Sequence, residues 1–415
     1  MESTSPQAIG YAARIAFVVE LAEHLHLYGT TAPRLEGAIT SVSQALGLEC
    51  EPWVNPTGMV LAFSDPQRPP GDSDTTRVIR LAPGNVDLRR LCEADRIVED
   101  VLAERMGLAE GYAALRALDR TDSRRAMLMQ VLAFGLSSAS VAGLLRLPWL
   151  DIATAGLIGL LVGLLDWAAR DRQRLKEAFD AIAAVVATAV AIAVASFIGP
   201  LNLNTVIIAA LIVLMPGLAL TNAVNELTRQ HLISGTARFA GAVSTILMLT
   251  LGTMIALTVS QMLGIDPQVR ALRPQPQLVE WGALIVASFA FAVLMRASRR
   301  DYPVVMLAAI VGYMISRQVG ESWGSPVGIF MAAMVITAAG NGYAQYMQRP
   351  GALIRVPGII LMVPGSTSVR SVLTMFQQQD FNVGQQAALA VLNILLALIA
   401  GLIFGNLLLP ARRNL

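Results

Sequence analysis

Two hydrophobic patterns divide the chain. The first third repeats apolar positions at the 3.6-residue period of amphipathic helices, interrupted by three short runs with strand character. The predicted helices are Ile9–Leu27, Pro33–Leu46, Val86–Met106 and Ala109–Leu118, and the predicted strands are Leu48–Val54, Met59–Phe63 and Thr76–Leu81. This pattern predicts an N-terminal α+β domain, residues 1–122, large enough to bury a core of its own.

From residue 126 onward the chain is a series of long apolar runs. A helix needs roughly 20 residues to cross a hydrocarbon core of about 30 Å. Ten runs are predicted to span a membrane: Ala126–Leu147, Ile152–Ala169, Phe179–Ile198, Thr205–Val224, Phe239–Leu263, Trp281–Met295, Tyr302–Val319, Val327–Met347, Val356–Phe376 and Gln386–Leu409. A polar linker, residues 264–280, separates five spans in 123–263 from five in 281–415.

The fourth apolar run of each half is interrupted by a Pro-Gly pair. Leu211–Leu227 reads LIVLMPGLALTNAVNEL, and Gly358–Phe376 reads GIILMVPGSTSVRSVLTMF. Proline removes a backbone hydrogen bond and clashes with the preceding turn, so each run predicts a broken helix. At membrane depth a break is tolerated where neighbouring groups satisfy the freed backbone. A single break indicates a packing kink, whereas two in equivalent positions favour a function.

The spacing places both breaks near mid-membrane. Pro216 follows Asn204 by about twelve residues, roughly 18 Å of helix, and Pro364 follows Arg355 by about nine, roughly 13 Å. Five spans per half give the two copies opposite orientations, so we predict a polytopic α-helical membrane domain built as a 5+5 inverted repeat. Paired broken helices in inverted repeats are typical of the substrate sites of transporters.

Composition and charge agree with this architecture. The chain is 55% hydrophobic and 14% charged, with a mean hydropathy of +0.58, and 31 of its 60 charged residues lie within the first 125. If the N-terminal domain is cytoplasmic, thirteen Arg and Lys residues fall in inside loops and four in outside loops. This asymmetry predicts a multi-pass protein of the cytoplasmic membrane with both termini cytoplasmic and no cleaved signal peptide. A net charge of +2 argues against a nucleic-acid partner.

Several chemistries lack the residues they need. Lys176 is the single lysine and does not lie in a phosphate-binding GxxxxGK[ST] loop, which excludes an ATP-driven pump on this chain. The three histidines do not form HExxH, and neither CxxC nor GxSxG occurs. We therefore expect neither an enzyme, nor a cofactor, nor a metal site. Cys50 and Cys92 are predicted to be free thiols.

The breaks supply candidate substrate contacts. A half-helix that begins after a proline presents free N–H groups able to hold a carboxylate, and nearby hydroxyl, amide and guanidinium groups can bind the rest of an amino acid. The candidates are Pro216, Gly217, Thr221, Asn222, Pro364, Gly365, Ser366, Thr367, Ser368 and Arg370.

Two acids at the edges of spans are candidates for proton coupling, because ionisable groups in membrane segments are usually functional. They are Asp166, in GLLDWAARDR, and Glu226, in NAVNELTRQ. For Asp166, an ion pair with Arg170 at the membrane interface is an equal alternative to proton coupling. For Glu226, exposure in a cytoplasmic loop is a nearly equal alternative.

Several segments together resemble the threonine/serine exporter family. They are LYGTTAPRLEGAITSVSQALGLE, NPTGMVLAFSD and TTRVIRLAPGNVDLRRL in the N-terminal third, MPGLALTNAVNELTRQHLISGTARFAGA at the first break and VPGSTSVRSV at the second. The resemblance covers nearly the whole chain. It implies a cytoplasmic domain followed by about ten spans, and proton-driven export of threonine and serine. Family patterns often carry an aspartate near Asn225-Glu226, so the acid is kept here but not its type.

These expectations combine into one functional hypothesis. The chain is predicted to be a secondary exporter of small hydroxy amino acids, with protons and the lipid bilayer as further partners and a homo-oligomer left open. Some family relatives are split into two chains and linked to succinate export, so export of a dicarboxylate is one alternative. A membrane ligand sensor that does not transport is another.

Overall fold

The computed structural model describes residues 10–67, 69, 74–119, 123–270, 274–378 and 381–411. Its N-terminal domain contains helices α1 (Tyr11–Leu27), α2 (Ala32–Ala45), α3 (Leu88–Leu102) and α4 (Leu108–Arg116), and strands β1 (Glu49–Asn55), β2 (Gly58–Ser64) and β3 (Thr75–Arg80). The strands form an antiparallel sheet in the order β1-β2-β3. The predicted α+β content is confirmed, with element ends that differ by a few residues.

Local sequence explains where these elements begin and end. Asp87 accepts a hydrogen bond from Arg90 N–H at 2.9 Å and caps the start of α3. Gly47 has φ +71° directly after α2, a conformation that glycine adopts without steric cost. The buried faces of the helices and of β2 then pack together through side chains such as Leu21, Leu35 and Phe63.

The rest of the chain is helical. The helices are α5 (Arg124–Leu144), α6 (Trp149–Ala169), α7 (Gln173–Glu177), α8 (Phe179–Phe197), α9 (Leu203–Ala210), α10 (Gly217–Thr228), α11 (Leu232–Met262), α12 (Gln277–Leu294), α13 (Tyr302–Trp323), α14 (Ser325–Met347), α15 (Ala352–Ile360), α16 (Gly365–Gln378) and α17 (Phe381–Leu408). Within the described ranges, nine helical segments are long and apolar enough to cross a membrane. The pair α9 and α10, bent by 57°, makes a tenth if it is one span. The protein is therefore a multi-pass membrane protein.

One predicted span starts too late in the sequence. The fifth was placed at Phe239–Leu263, whereas α11 begins at Leu232 and carries Arg238 within its first two turns. Arg238 pairs with Glu226 of α10, and this neutralisation lets a helix that bears a guanidinium continue the apolar segment.

The membrane helices pack in reciprocal pairs across the two halves. Helix α5 of the first half packs on α12 of the second. Helix α10 packs on α17, and α16 packs on α11. The half-helices that follow the two breaks, α10 and α16, also contact each other. Each broken span is therefore held by the other half as well as by its own.

The N-terminal domain is docked on one end of the membrane helices. The N–H groups of Leu88 and Arg89 donate to the carbonyls of Met295 and Arg296 at 3.0 and 3.2 Å, which joins the start of α3 to the end of α12. Asp87 lies 3.5 Å from the Arg296 guanidinium. The apolar core of the domain is continuous with residues of α12, α13 and α15. A rearrangement of these helices would therefore displace or strain the N-terminal domain.

Several polar residues of this domain are buried or form contacts. His24 and His26 are both buried. Cys50 and Cys92 are free, buried thiols. The Glu36 carboxylate lies 3.4 Å from Nδ1 of His231.

Candidate functional site

The two Pro-Gly breaks have the same local structure. Gly217 N–H donates to the Met215 carbonyl at 2.8 Å, and Gly365 N–H donates to the Val363 carbonyl at 2.9 Å. Each bond spans the proline between them, as in an inverse γ-turn, and Pro216 has φ −79° and ψ 40°. The two motifs therefore share this hydrogen bond across the proline, while only the α9–α10 pair is bent by 57°.

The breaks also touch each other. A Cβ atom added to Gly217 would lie 3.2 Å from Gly365 Cα, and one added to Gly365 would lie 3.2 Å from Gly217 Cα. Backbone packs directly on backbone at this point, and only glycine leaves room for it. The sequence predicted two equivalent breaks, but the contact between them is a property of the tertiary fold.

A cavity of about 630 Å³ opens beside this contact. We call it the break cavity. From the breaks it is lined by Pro216, Gly217, Leu218, Ala219, Gly365 and Ser366, and from the side of the N-terminal domain by Asn85, Val86, Met295 and Arg296. Asp166, Arg170 and Lys176 complete its polar lining. The cavity thus runs between the breaks and the end of the membrane helices on which the domain is docked.

Free backbone donors line the break cavity. In the described chain, the N–H groups of Leu218, Ala219 and Ser366 donate to no protein acceptor, because they belong to the first turns of α10 and α16. Two half-helix N-termini therefore direct partial positive charge to one region. This arrangement suits a carboxylate bound at the contact between the breaks.

The hydroxyl candidates are divided between this cavity and the helix interior. Thr221 donates to the Gly217 carbonyl at 3.1 Å, and Ser368 donates to the Pro364 carbonyl at 2.6 Å. Both side chains are buried and satisfy backbone carbonyls one turn earlier in their own segments. Ser366 instead lines the cavity, while Thr367 is half-buried beside it in the chain and Pro364 is buried.

Two other candidates lie away from the break cavity. Asn222 lines a second cavity, described below, between the N-terminal domain and helices α10, α15 and α17. Arg370 is exposed on α16 and belongs to the lining of neither cavity. The structure therefore brings together both Pro-Gly pairs and Ser366, but not these two side chains.

The two candidate acids have contrasting surroundings. Asp166 lines the break cavity, is 36% exposed and lies 3.2 Å from Arg170, which also donates to Gln130 at 2.9 Å. The alternative interpretation of Asp166 as an ion-paired acid therefore describes its contacts, and those contacts are in the cavity.

The Glu226 side chain is fully buried, and both of its carboxylate oxygens accept hydrogen bonds. Its carboxylate accepts hydrogen bonds from two nitrogens of Arg238 at 3.1 Å each, from the Ser234 hydroxyl at 2.9 Å and from Ala32 N–H at 3.1 Å. Ala32 is the first residue of α2, so a membrane half-helix caps a helix of the N-terminal domain. The alternative interpretation of Glu226 as an exposed loop residue is wrong, because these four donors enclose it.

Two protein-family models match most of the chain. One model of the threonine/serine exporter family matches residues 16–260, and a second, described as "Threonine/Serine exporter, ThrE", matches residues 281–408. Together the two matches include the docked domain, both breaks and all the helices around them.

The chain belongs to the threonine/serine exporter family. Both family models are described as those of threonine/serine exporters, which are membrane proteins. The resemblance recognised from the sequence segments is confirmed.

Curated relatives of this exporter-family chain are distant. An uncharacterised protein of Schizosaccharomyces pombe is 22% identical over 93% of this chain and 53% of its own length. Pheromone-regulated membrane protein 10 of Candida albicans is 25% identical over 87% of this chain and 33% of its own length, and that of Pichia sorbitophila is 24% identical over 88% and 38%. The chain thus spans about half or less of these relatives. No solved structure matches it.

Sequence reasoning missed one group of residues in this exporter-family chain. Arg34 of α2, Arg229 at the end of α10 and Arg355 of α15 line the second cavity together with Asn222 and other side chains. Their sequence positions are far apart, and each was counted only as a loop charge or ignored. No periodicity or spacing in the sequence could have placed the three together.

Proposed function

We propose that the chain exports threonine and serine, driven by the proton motive force, from a site at the contact between the two breaks. The observation that carries this proposal is the pair of half-helix N-termini that present free N–H groups to one cavity. They would hold the substrate carboxylate, and Ser366 would bond its hydroxyl or ammonium group.

An inverted 5+5 repeat, 123–263 and 281–415, would explain how this site opens to alternate sides. The reciprocal packing of α10 on α17 and of α16 on α11 supports it. So does a second correspondence. Asp151 near the start of α6 bonds the Asn202 side chain just before α9 at 2.6 Å, and Asp301 just before α13 bonds Arg349 just before α15. An acid at the second span thus binds the residue that leads into the fourth span in each half.

Asp166 is the better candidate for the coupling group of the two acids. It lines the break cavity, where a proton and a substrate can both reach it, and protonation would release Arg170. Glu226 would have to give up an ion pair, a hydroxyl and a helix N-terminus to accept a proton. We propose that Glu226 instead fixes the N-terminal domain to α10 and α11.

The orientation follows from the same scheme. With the N-terminal domain cytoplasmic, the break cavity opens toward the cytoplasm, and substrate would enter it beneath the docked domain. The excess of basic loop residues on that side supports cytoplasmic termini in an inner membrane.

Counterflow in proteoliposomes tests the proposal. Proteoliposomes that contain the purified chain and are loaded with radiolabelled threonine should show efflux that an imposed proton gradient stimulates. Unlabelled serine should compete with this efflux. The Asp166→Asn variant should lose the stimulation, whereas Asp171→Asn, an exposed acid in the next loop, should keep it. Absence of threonine and serine flux would overturn the function, and a coupled Asp166→Asn variant would overturn the assignment of Asp166.

Export of a dicarboxylate such as succinate is the second candidate. Lys176 lines the break cavity and pairs with no acid in the described part of the chain, so it could bind a second carboxylate. Succinate that competes with threonine, and whose competition is lost in Lys176→Gln, would favour this substrate. Competition by serine alone would favour the hydroxy amino acids.

A further inference from the structure

The second cavity lies between the docked domain and the membrane helices. We call it the interdomain cavity, and its volume is about 370 Å³, within the roughly 300–1,000 Å³ of small-molecule sites. The α1–α2 turn and α3 line one side, while α10, α15 and the end of α17 line the other. Its lining shares Val86 and Leu218 with that of the break cavity, and its other lining residues differ.

Three cationic side chains line this cavity. Arg34 belongs to the N-terminal domain, Arg229 to the end of α10 and Arg355 to α15. Among the described residues none of the three forms an ion pair with a carboxylate, and no acidic side chain belongs to the lining. Burial, together with the nearby Arg229 cation, lowers the pKa of Arg34 to about 10. The local charge is thus uncompensated by the protein.

The neighbouring acids are already engaged. Glu226 binds Arg238, Ser234 and Ala32, and Glu36 accepts Val54 N–H at 3.0 Å and pairs with His231. Neither carboxylate can turn to the cavity without breaking these contacts. The positive charge is therefore built into the interface.

Four residues of the cavity lining carry buried polar atoms that have no hydrogen-bond partner. They are Arg355 Nη2, Asn225 Oδ1, Thr30 Oγ1 and the Tyr28 hydroxyl. An unpaired buried polar group costs roughly 1–3 kcal/mol, so such groups are usually satisfied by water or a ligand. The lining of this one cavity thus holds both donors and an acceptor without a protein partner in the described chain.

We propose that the interdomain cavity binds a small polyvalent anion, with two or three carboxylate or phosphate groups, that bridges the N-terminal domain and the membrane helices. Guanidinium groups bind these anions with paired hydrogen bonds, and three arginines on three elements would fix such a ligand from three directions. Threonine and serine are zwitterions without net charge at neutral pH, so they cannot replace such an anion. The site therefore differs in ligand class from the proposed transport site.

Direct binding to the full chain tests this proposal independently of transport. The protein is placed in nanodiscs of phosphatidylcholine alone, so that no lipid headgroup carries net negative charge. Citrate, succinate and pyrophosphate are titrated by calorimetry, with acetate and threonine as monovalent and zwitterionic comparisons. We expect saturable binding of at least one polyvalent anion, weakened by salt, and none of acetate or threonine at the same concentrations.

Matched variants locate the bound anion. Arg34→Gln and Arg229→Gln should each weaken binding roughly tenfold to hundredfold, because each removes a charged hydrogen-bonding partner. Arg229 is exposed at the end of its helix, so its variant should fold even if Arg34→Gln does not. Arg77→Gln, an exposed arginine on β3, should leave the affinity unchanged. Equal weakening by Arg77→Gln and Arg229→Gln, or no preference for polyvalent anions, would overturn the proposal.

Discussion

Replacing Gly217 with alanine tests the contact between the breaks most directly. The added Cβ would lie 2.7 Å from Val363 Cγ1, 3.1 Å from Gly365 N and 3.2 Å from Gly365 Cα. The Val363 methyl can rotate away, but the two backbone atoms cannot. Since carbon atoms pack at about 3.5–4.0 Å, the half-helices must separate by roughly 0.5 Å.

The cost follows from this displacement. Overpacking at a close contact typically destabilises by about 1–3 kcal/mol, and the gain in helix propensity from alanine offsets about 0.5–1 kcal/mol. We expect a lower melting temperature and a larger loss of transport, since the displaced N–H groups belong to the proposed carboxylate site. Gly365→Ala should behave alike, because its Cβ meets Gly217 at the same distances.

Gly241→Ala provides the control. Gly241 lies inside α11, and a Cβ there would meet nothing within 4 Å. This variant should melt at the same temperature or higher and transport normally. Threonine counterflow and thermal unfolding of the three variants in one lipid mixture decide the question. Equal stability and flux in Gly217→Ala and Gly241→Ala would refute the inferred backbone contact.

Three further predictions concern stability and reactivity. Glu226→Ala should destabilise the protein by about 3 kcal/mol, because it leaves the Arg238 guanidinium unpaired. In thermal unfolding, a variant that lacks both side chains should recover part of this loss. An unchanged melting temperature of Glu226→Ala would contradict the prediction. Burial lowers the pKa of His26, so the unfolded chain binds more protons than the folded chain below pH 6.5. As the pH falls from 6.5 to the lowered pKa, the free energy of unfolding should therefore fall by up to about 1.4 kcal/mol per pH unit. The His26→Gln variant should show a smaller slope. Burial raises the pKa of Cys50 to about 11 and of Cys92 to about 12, so maleimide should label native protein at least about a hundredfold more slowly than unfolded protein at neutral pH, and fast labelling would show that the thiols are accessible.

Much of the fold was predictable because its signals are local. The apolar runs are as long as a membrane span, and Asp87 caps α3 through a contact three residues away. The predicted fifth span begins after Arg238, whereas α11 begins before it and pairs this charge with Glu226 on another helix. Periodicity reports the faces of single helices, whereas ion pairs between helices depend on how those helices pack.

The candidate site was predictable only in part. Pro216, Gly217, Gly365, Ser366 and Asp166 border one cavity. Thr221 and Ser368 bond their own backbone instead, which their positions one turn after the breaks allow but do not require. Residue type indicates which bonds a side chain can make, and the surrounding helices decide which of them it makes.

The sequence by itself determined the membrane class, the three strands and the two breaks, because apolar length, alternation and proline act within a few residues. The tertiary structure alone decided that Gly217 and Gly365 meet, that Glu226 holds the N-terminal domain, and that Arg34, Arg229 and Arg355 face one cavity. Those contacts join residues from distant segments, and their energies depend on burial and neighbouring charge. Such quantities exist only once the chain has folded.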